Sequence, residues 1–169
     1  MDKFALIVEN LTKIYFNSKT KKQNKALNEL NFEVKEGEVF GLLGPNGAGK
    51  TTFLSILGGA VVKTSGKVNV WGFDLDQNPR QVRASVGIVP QEVNLDAFFS
   101  PQKLLELQAG LYGVSRNERI TDLILKMVSL EDKADAYSRS LSGGMKRRLL
   151  IAKAMVHQPP ILILDEPTA

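Results

Sequence analysis

The chain has 169 residues, 43% of them hydrophobic and 24% charged, which is typical of a soluble globular domain with a sizeable core. Its net charge is +4, and the lack of cysteine excludes a disulfide framework or a cysteine-based metal site. Lys19, Lys21, Lys22 and Lys25 form a short basic run that indicates a solvated loop. No aromatic interleaving or recognition module accompanies it, which argues against nucleic acid as a partner.

The N-terminus, Met1-Asp2-Lys3-Phe4, lacks the long apolar core and the small-residue cleavage site of a signal peptide. No apolar run reaches the ~18 residues that a transmembrane helix requires. We therefore expect any membrane role to come through a partner protein.

The first half of the chain is dominated by strand patterns. A polar loop is predicted over residues 17–25, and a helix over residues 50–57 that Gly58-Gly59 ends. The run 39–43 is nearly all apolar and ends in glycine, which is typical of a strand buried on both faces. Strands are predicted over residues 4–8, 27–34, 39–43, 67–71 and 86–89.

The second half changes to helical spacing. Between Pro101 and Leu130 the apolar residues predict two helices that are broken near Gly113, and a third helix follows Gly144 and stops before Pro159. Residues 161–164 are four aliphatics in a row and predict another buried strand. The alternation of strands and helices indicates an α/β domain with a largely parallel core sheet, into which residues 93–145 are inserted as a helical segment.

A phosphate-binding loop follows the predicted strand 39–43. Gly44-Pro45-Asn46-Gly47-Ala48-Gly49-Lys50-Thr51 fits the pattern G-x-x-x-x-G-K-[ST] in full. Its glycines let backbone amides approach phosphate oxygens at the positive end of the following helix. Lys50 supplies a charge for the β- and γ-phosphates, and the Thr51 hydroxyl can bind Mg²⁺. Thr52, the next residue, completes the candidate nucleotide-binding set.

Two carboxylates follow the predicted strand 161–164. Asp165 lies 115 residues after Lys50, at the carboxyl end of its strand, where open α/β sheets bind ligands. Asp165 is suited to hold Mg²⁺ through a water, and Glu166 to polarise the attacking water or accept its proton. Taken alone, Asp-Glu-Pro is equally typical of a polar turn; together with the phosphate loop it favours a catalytic role.

The segment Leu141-Ser142-Gly143-Gly144-Met145 places a hydroxyl and bare backbone amides at the start of a helix. Its serine, Ser142, lies 23 residues before Asp165. Ser142 is also suited to cap that helix, and both roles can hold together. The order and spacing of the phosphate loop, this segment and the two carboxylates resemble the ATP-binding-cassette (ABC) ATPases. In that family, Ser142, Gly143 and Gly144 would cover the ATP that a second subunit holds.

The resemblance covers nearly the whole chain and implies a P-loop NTPase core with an N-terminal antiparallel β subdomain. It implies one ATP-binding domain over residues 1–169, with a core of about 1–92 and 146–169 and a helical insertion of about 93–145. Gln91 ends the strand 86–89 and can reach Mg²⁺ or its waters; the family pattern makes it the catalytic and coupling glutamine. Tyr15 matches the aromatic that stacks on adenine, although Phe16 is an equally good ring by chemistry alone.

Two features depart from the family pattern. Met145 stands where many members have glutamine, which resembles the branch that serves exporters of drugs, polysaccharides or lipids. The sequence ends at Ala169, before the loop, helix, strand and switch histidine found in family members. The single histidine, His157, precedes the Asp165 strand and is predicted to be a surface or helix-end residue. We therefore expect a C-terminally incomplete domain that hydrolyses ATP poorly by itself.

The resemblance implies the ATP-binding subunit of an exporter, with ATP and Mg²⁺ bound in a dimeric clamp. Its partners would be a second ABC ATPase subunit and a transmembrane permease, which would hold it at the cytoplasmic face of the membrane. Two alternatives stay open: a non-catalytic nucleotide-binding remnant, and a soluble ABC protein that acts on ribosomes or DNA.

Overall fold

The computed structural model describes residues 3–18 and 21–166; Met1, Asp2, Lys19, Thr20 and the last three residues lie outside that part. The chain forms two compact units, Met1–Val86 and Gly87–Ala169, which are described one at a time.

The first unit is built on an antiparallel sheet. Its strands are β1 (Phe4–Phe16), β2 (Gln23–Lys35), β3 (Ser65–Val70) and β4 (Phe73–Asp74), in the order β2-β1-β3-β4. The strands predicted over 4–8 and 27–34 exist but are longer, so that β2 takes up part of the predicted loop 17–25. The long pairing is accommodated by register shifts between β1 and β2. The antiparallel β subdomain is thus confirmed.

Two helices accompany this sheet. Helix α1 covers Lys50–Leu57, as predicted, and buries Phe53, Ile56 and Leu57. Helix α2, Pro79–Ala84, was not predicted, although Pro79 at its first turn is a recognised start signal. Val82 of α2 is fully buried, which ties this short helix to the core of the first unit.

The prediction of a strand over residues 39–43 is wrong. Residues 38–45 have no regular structure, and the side chains of Val39 and Leu43 are 99% and 93% exposed. A strand needs hydrogen bonds to a neighbouring strand, and no strand of the described residues pairs with this segment. Phe40 is held instead by stacking on Phe32 at 5.1 Å between ring centroids.

The second unit contains the remaining strands and helices. Strand β5 (Val86–Val89) begins at the last residue of the first unit and pairs with β6 (Ile161–Leu164) in a two-stranded parallel sheet. Both strands have the predicted bounds. The prediction that β6 is buried on both faces is wrong, because Leu162 and Leu164 are half-exposed on the same face.

Helices α3 (Pro101–Leu111), α4 (Thr121–Met127) and α5 (Gly143–Met155) confirm the three predicted helices and the break near Gly113. They enclose a core that includes Leu105, Leu125 and Leu149. Helix α5 also packs on β5, since Leu150 and Ala154 contact Val89. Gly87 permits this approach: a Cβ there would lie 2.3 Å from the backbone oxygen of Ala154.

Candidate nucleotide site

The glycine-rich loop of the first unit leads directly into helix α1. Residues 44–48 are exposed, and the backbone of Gly47 and Gly49 has φ of 84° and 91°, in the left-handed region that favours glycine. Gly49 is also the N-cap of α1. The loop therefore presents accessible backbone at a helix N-terminus, which is the arrangement that binds phosphate groups.

Gly49 has a second constraint besides its backbone angle. A Cβ at this position would lie 2.4 Å from the backbone oxygen of Ala26 and 2.6 Å from the Leu27 side chain. Strand β2 thus packs directly against the turn that begins α1, and only glycine fits between them.

Aromatic contacts connect the two flanks of the loop. Phe40 precedes the loop and stacks on Phe32, while Phe53 of α1 meets the same Phe32 ring edge-on at 5.4 Å. Phe32 thus fixes the chain before and after residues 44–49. An anchored loop needs less ordering when it binds a ligand.

Lys50 bends back over the loop. Its ammonium donates to the backbone oxygens of Gly44 at 2.6 Å and Pro45 at 3.2 Å. The ammonium group therefore lies beside the curve of the loop. From there it can exchange these carbonyl acceptors for the phosphate oxygens of a bound nucleotide. Thr51 is exposed and Thr52 half-buried at the start of α1.

Tyr15 lies near the end of β1 with its side chain 40% exposed, and Phe16 is 63% exposed. The Lys13 ammonium lies 4.8 Å from the centre of the Tyr15 ring and donates to the backbone oxygen of Val62 at 2.7 Å. Cation–π contact of this kind orients an exposed ring. Tyr15 is thus a candidate aromatic whose ring has an orienting contact.

In the second unit, the signature segment (residues 141–145) begins helix α5. Ser142 is the N-cap, and its hydroxyl accepts a hydrogen bond from the Met145 amide at 3.3 Å. A Cβ at Gly143 or Gly144 would meet no atom of the described residues within 4 Å. The capping role is therefore observed, and the two glycines face open space where another molecule can approach.

Gln91 and Glu166 meet within the second unit. The Gln91 amide donates from Nε2 to Oε2 of Glu166 at 2.7 Å. Next to them, the Asp165 amide donates to the backbone oxygen of Val89 at 3.0 Å, which continues the β5–β6 pairing by one residue. The structure therefore brings together three predicted site residues of the second unit: Gln91, Asp165 and Glu166.

Arg147 is a member of this cluster that the sequence did not reveal. Its guanidinium donates from Nη1 to the backbone oxygen of Gln91 and from Nη2 to that of Glu166 at 2.9 Å. Glu166 itself has φ of 46°, in the left-handed region. The sequence shows only three adjacent basic residues, Lys146, Arg147 and Arg148, and does not indicate which of them points to the strand ends.

A bound Mg²⁺ ion would need hard oxygen donors from the candidate site residues. Among residues 3–18 and 21–166, no three His, Cys, Asp or Glu side chains are close enough to hold an ion. Within the second unit, the Gln91 amide and the Asp165 carboxylate offer oxygen donors, a chemistry that suits Mg²⁺ with retained waters. The Gln91–Glu166 bond uses the amide nitrogen, which leaves the amide oxygen for such a role.

His157 lies just beyond the end of α5 and is half-buried, as a helix-end residue. Its ring stacks on Tyr112 with centroids 3.7 Å apart. Both rings line a cavity of about 220 Å³ in the second unit. The lining residues are Ile88, Pro90, Asn94, Gln108, Tyr112, Leu150, Lys153, Ala154 and His157.

The glycine-rich loop at the start of α1 and the acidic pair at the end of β6 define a nucleotide-binding domain of the P-loop class. The sequence profile of the ABC transporter family matches residues 27–169. The chain therefore belongs to the ABC transporter family, and its solved neighbours are ATP-binding domains of the same fold.

Three similar proteins illustrate the relationship. The Nod factor export ATP-binding protein I of Burkholderia thailandensis is 45% identical over 141 residues, which cover 82% of this chain and 46% of that protein. A dimeric ATP-binding cassette in a post-hydrolysis state, bound to ADP and Pi, is 30% identical, with a TM-score of 0.79, covering 96% of this chain and 74% of that one. The cbiO1 protein of Clostridium perfringens, part of the ABC transporter complex cbiONQ, is 32% identical, with a TM-score of 0.79, covering 100% and 67%.

The chain spans about half the length of the curated relatives it matches. In the part of the chain that the structure describes, no helix is both long and apolar enough to cross a membrane.

Proposed function

We propose that this chain is the ATP-binding part of an ABC transporter that binds and hydrolyses Mg-ATP to drive export through a separate membrane permease. The observation that carries the hydrolytic part of this proposal is the Gln91–Glu166 hydrogen bond. It places an amide and a carboxylate together just beyond the ends of β5 and β6, and both residues occupy positions that match the family pattern. We also propose the division of one domain into a core, about 1–92 and 146–169, and a helical insertion, about 93–145.

Each unit supplies a different part of the chemistry. In the first, the amides of residues 44–49 and the Lys50 ammonium bind the triphosphate, and Tyr15 stacks on the adenine. In the second, Glu166 orients the attacking water and accepts its proton. Gln91 holds that carboxylate by its side-chain amide, so the carboxylate keeps one oxygen for the water.

Thr51, Gln91 and Asp165 are the residues that would hold Mg²⁺. The ion, when bound, neutralises charge that develops on the phosphate oxygens. All three donors are neutral or anionic oxygens, which fit this ion better than a softer metal.

The signature segment supports a dimeric clamp with a second ABC ATPase subunit. Ser142 and the amides of Gly143 and Gly144 lie at the start of a 13-residue helix, with open space beside both glycines. A hydrogen bond to a charged group contributes about 1.5–3 kcal/mol. Two such bonds to a partner's γ-phosphate would change the dimer equilibrium by roughly 10²–10⁴-fold, which is enough to make closure depend on ATP.

The export names of the relatives and the transporter complex that contains cbiO1 support a permease partner. It would keep the protein peripheral, at the cytoplasmic face of the membrane. The export branch is favoured by Met145, whose side chain packs against the core of the second unit. The alternative is a non-catalytic remnant that binds nucleotide without turnover. An ATP-binding assay run beside an ATPase assay distinguishes it from an active ATPase.

The experiment uses the purified protein. Lys50→Ala removes the charge on the loop, and we expect ATP affinity to fall by at least tenfold in a fluorescent-nucleotide titration. Lys67→Ala, which removes an exposed charge from β3 of the same unit, is the matched control and should bind ATP like the parent. Unchanged ATP affinity in Lys50→Ala would sink the assignment, and binding without any turnover would favour the remnant.

A further inference from the structure

Arg147 lies on the first turns of α5, four positions after Gly143, and is half-buried. Its two terminal nitrogens donate to two different backbone carbonyls, those of Gln91 and Glu166. A guanidinium is planar and holds its donors in a fixed fork, so it sets the separation of the two acceptors. The two acceptors belong to segments 75 positions apart in the sequence.

These contacts close a ring of hydrogen bonds. Arg147 joins the backbones of Gln91 and Glu166, and the side chains of the same two residues join each other at 2.7 Å. Glu166 adopts a left-handed backbone conformation that a glutamate rarely takes, and its carbonyl is one of the two that Arg147 holds. Without the fork, that backbone would relax and the carboxylate would move relative to Gln91.

We propose that Arg147 is the positioning residue that fixes Glu166 and Gln91 in their hydrolytic geometry and ties this pair to the helix that begins with the signature segment. The inference rests on the proposed ATPase function. Ser142, Gly143 and Arg147 lie on one helical segment, so a displacement of its N-terminus also displaces the fork. A partner's nucleotide that engages Ser142 would thereby align this chain's own Gln91–Glu166 pair.

The next residue, Arg148, offers a matched control. Its guanidinium also donates to two backbone carbonyls, but these belong to Val128 and Ser129 at the end of α4. Both of these bonds come from Nη1. Arg148→Gln thus removes a guanidinium with two carbonyl acceptors from the same helix without touching Gln91 or Glu166.

The test compares four variants of the purified protein: Arg147→Gln, Arg147→Lys, Arg147→Ala and Arg148→Gln. For Arg147→Gln we expect kcat for ATP to fall by about 10²-fold with KM unchanged, because a displacement near 1 Å in a reacting geometry has this effect. Arg147→Lys keeps the charge without the fork and should be intermediate. Guanidinium ions added to Arg147→Ala should restore part of the activity. Arg148→Gln should keep the parental kcat.

Hydrogen–deuterium exchange without nucleotide gives a readout that does not need activity. In Arg147→Gln, peptides that cover residues 88–92 and 163–166 should exchange faster than in the parent, and in Arg148→Gln they should not. Unchanged exchange, unchanged kcat, or an equal loss in Arg148→Gln would each overturn the positioning role. If the parent binds ATP but does not hydrolyse it, the proposed function fails, and the exchange comparison still decides whether Arg147 holds the two segments.

Discussion

The side-chain amide of Gln91 donates to the carboxylate of Glu166 at 2.7 Å, which joins the ends of β5 and β6. The bond fixes one carboxylate oxygen and gives the amide a defined orientation. It also makes the pair a unit, so that a change at either residue should alter the other.

Glu166→Gln should slow ATP turnover strongly and leave ATP binding intact. An amide is nearly isosteric with the carboxylate but cannot accept the proton of the attacking water. We expect kcat to fall by about 10²–10⁴-fold, the usual contribution of a general base. Phosphate release in a single-turnover assay measures the effect. Glu92→Gln, which neutralises an exposed glutamate beside Gln91, is the control, and a similar loss there would argue against a specific role for Glu166.

Gly49→Ala should destabilise the protein more than Gly47→Ala. Both glycines have positive φ, so each alanine costs about 1–2 kcal/mol in backbone strain. At Gly49 the new Cβ would also lie 2.4 Å from the Ala26 oxygen, whereas at Gly47 it would meet no atom of the described residues within 4 Å. We expect about 3 kcal/mol or more for Gly49→Ala in urea unfolding. Equal losses in the two variants would contradict the packing of β2 against the loop.

Local elements were predictable where the sequence carries a local signal. Helix α1 and strands β5 and β6 have the predicted bounds, because glycine pairs, prolines and aliphatic runs mark their ends. Helix α2 was missed although Asn78-Pro79 marks its start. The strand over residues 39–43 failed for a different reason: apolar composition favours a strand, but pairing depends on a neighbour that the sequence pattern does not specify.

The candidate site was predictable in its residue types but not in its connections. The loop 44–51, Asp165 and Glu166 follow from spacing and chemistry. The Gln91–Glu166 bond and the Arg147 fork join positions far apart in sequence, and their geometry depends on how α5 packs on β5. No periodicity distinguishes Arg147 from Arg148, since both lie on the same helix and only the structure shows which carbonyls each one reaches.

Glu106 should make the second unit sensitive to acid. Hydrogen bonds from Thr121 at 2.6 Å and from Arg119 hold the pKa of the Glu106 carboxyl below its usual value. A carboxyl with a lowered pKa in the folded state adds stability above its unfolded pKa of about 4.3, and this is lost as pH falls through the folded pKa.

Glu106→Gln should therefore lower the Tm at pH 7, and that difference should shrink progressively as the pH falls below about 4.3. Because Glu106 is partly exposed, the effect at pH 7 should be at most about 1 kcal/mol. Thermal unfolding of both proteins between pH 7 and pH 3 measures it. A Tm difference that stays constant over this range would contradict the linkage.

Ser142 should have two separable roles, as the cap of α5 and as a contact for a partner's nucleotide. Its hydroxyl accepts from the Met145 amide, so Ser142→Ala should cost about 1 kcal/mol in stability. Aspartate is an equally good cap, and its charge suits a helix N-terminus, so Ser142→Asp should keep the parental Tm.

The aspartate carboxylate would, however, repel a γ-phosphate. We therefore expect Ser142→Asp to lose ATP-dependent dimerisation by size-exclusion chromatography while remaining as stable as the parent. Ser142→Ala should be weakened in both measurements. Normal ATP-dependent dimerisation of the aspartate variant would show that this hydroxyl only caps the helix, since a carboxylate replaces a hydroxyl at a cap but not beside a phosphate.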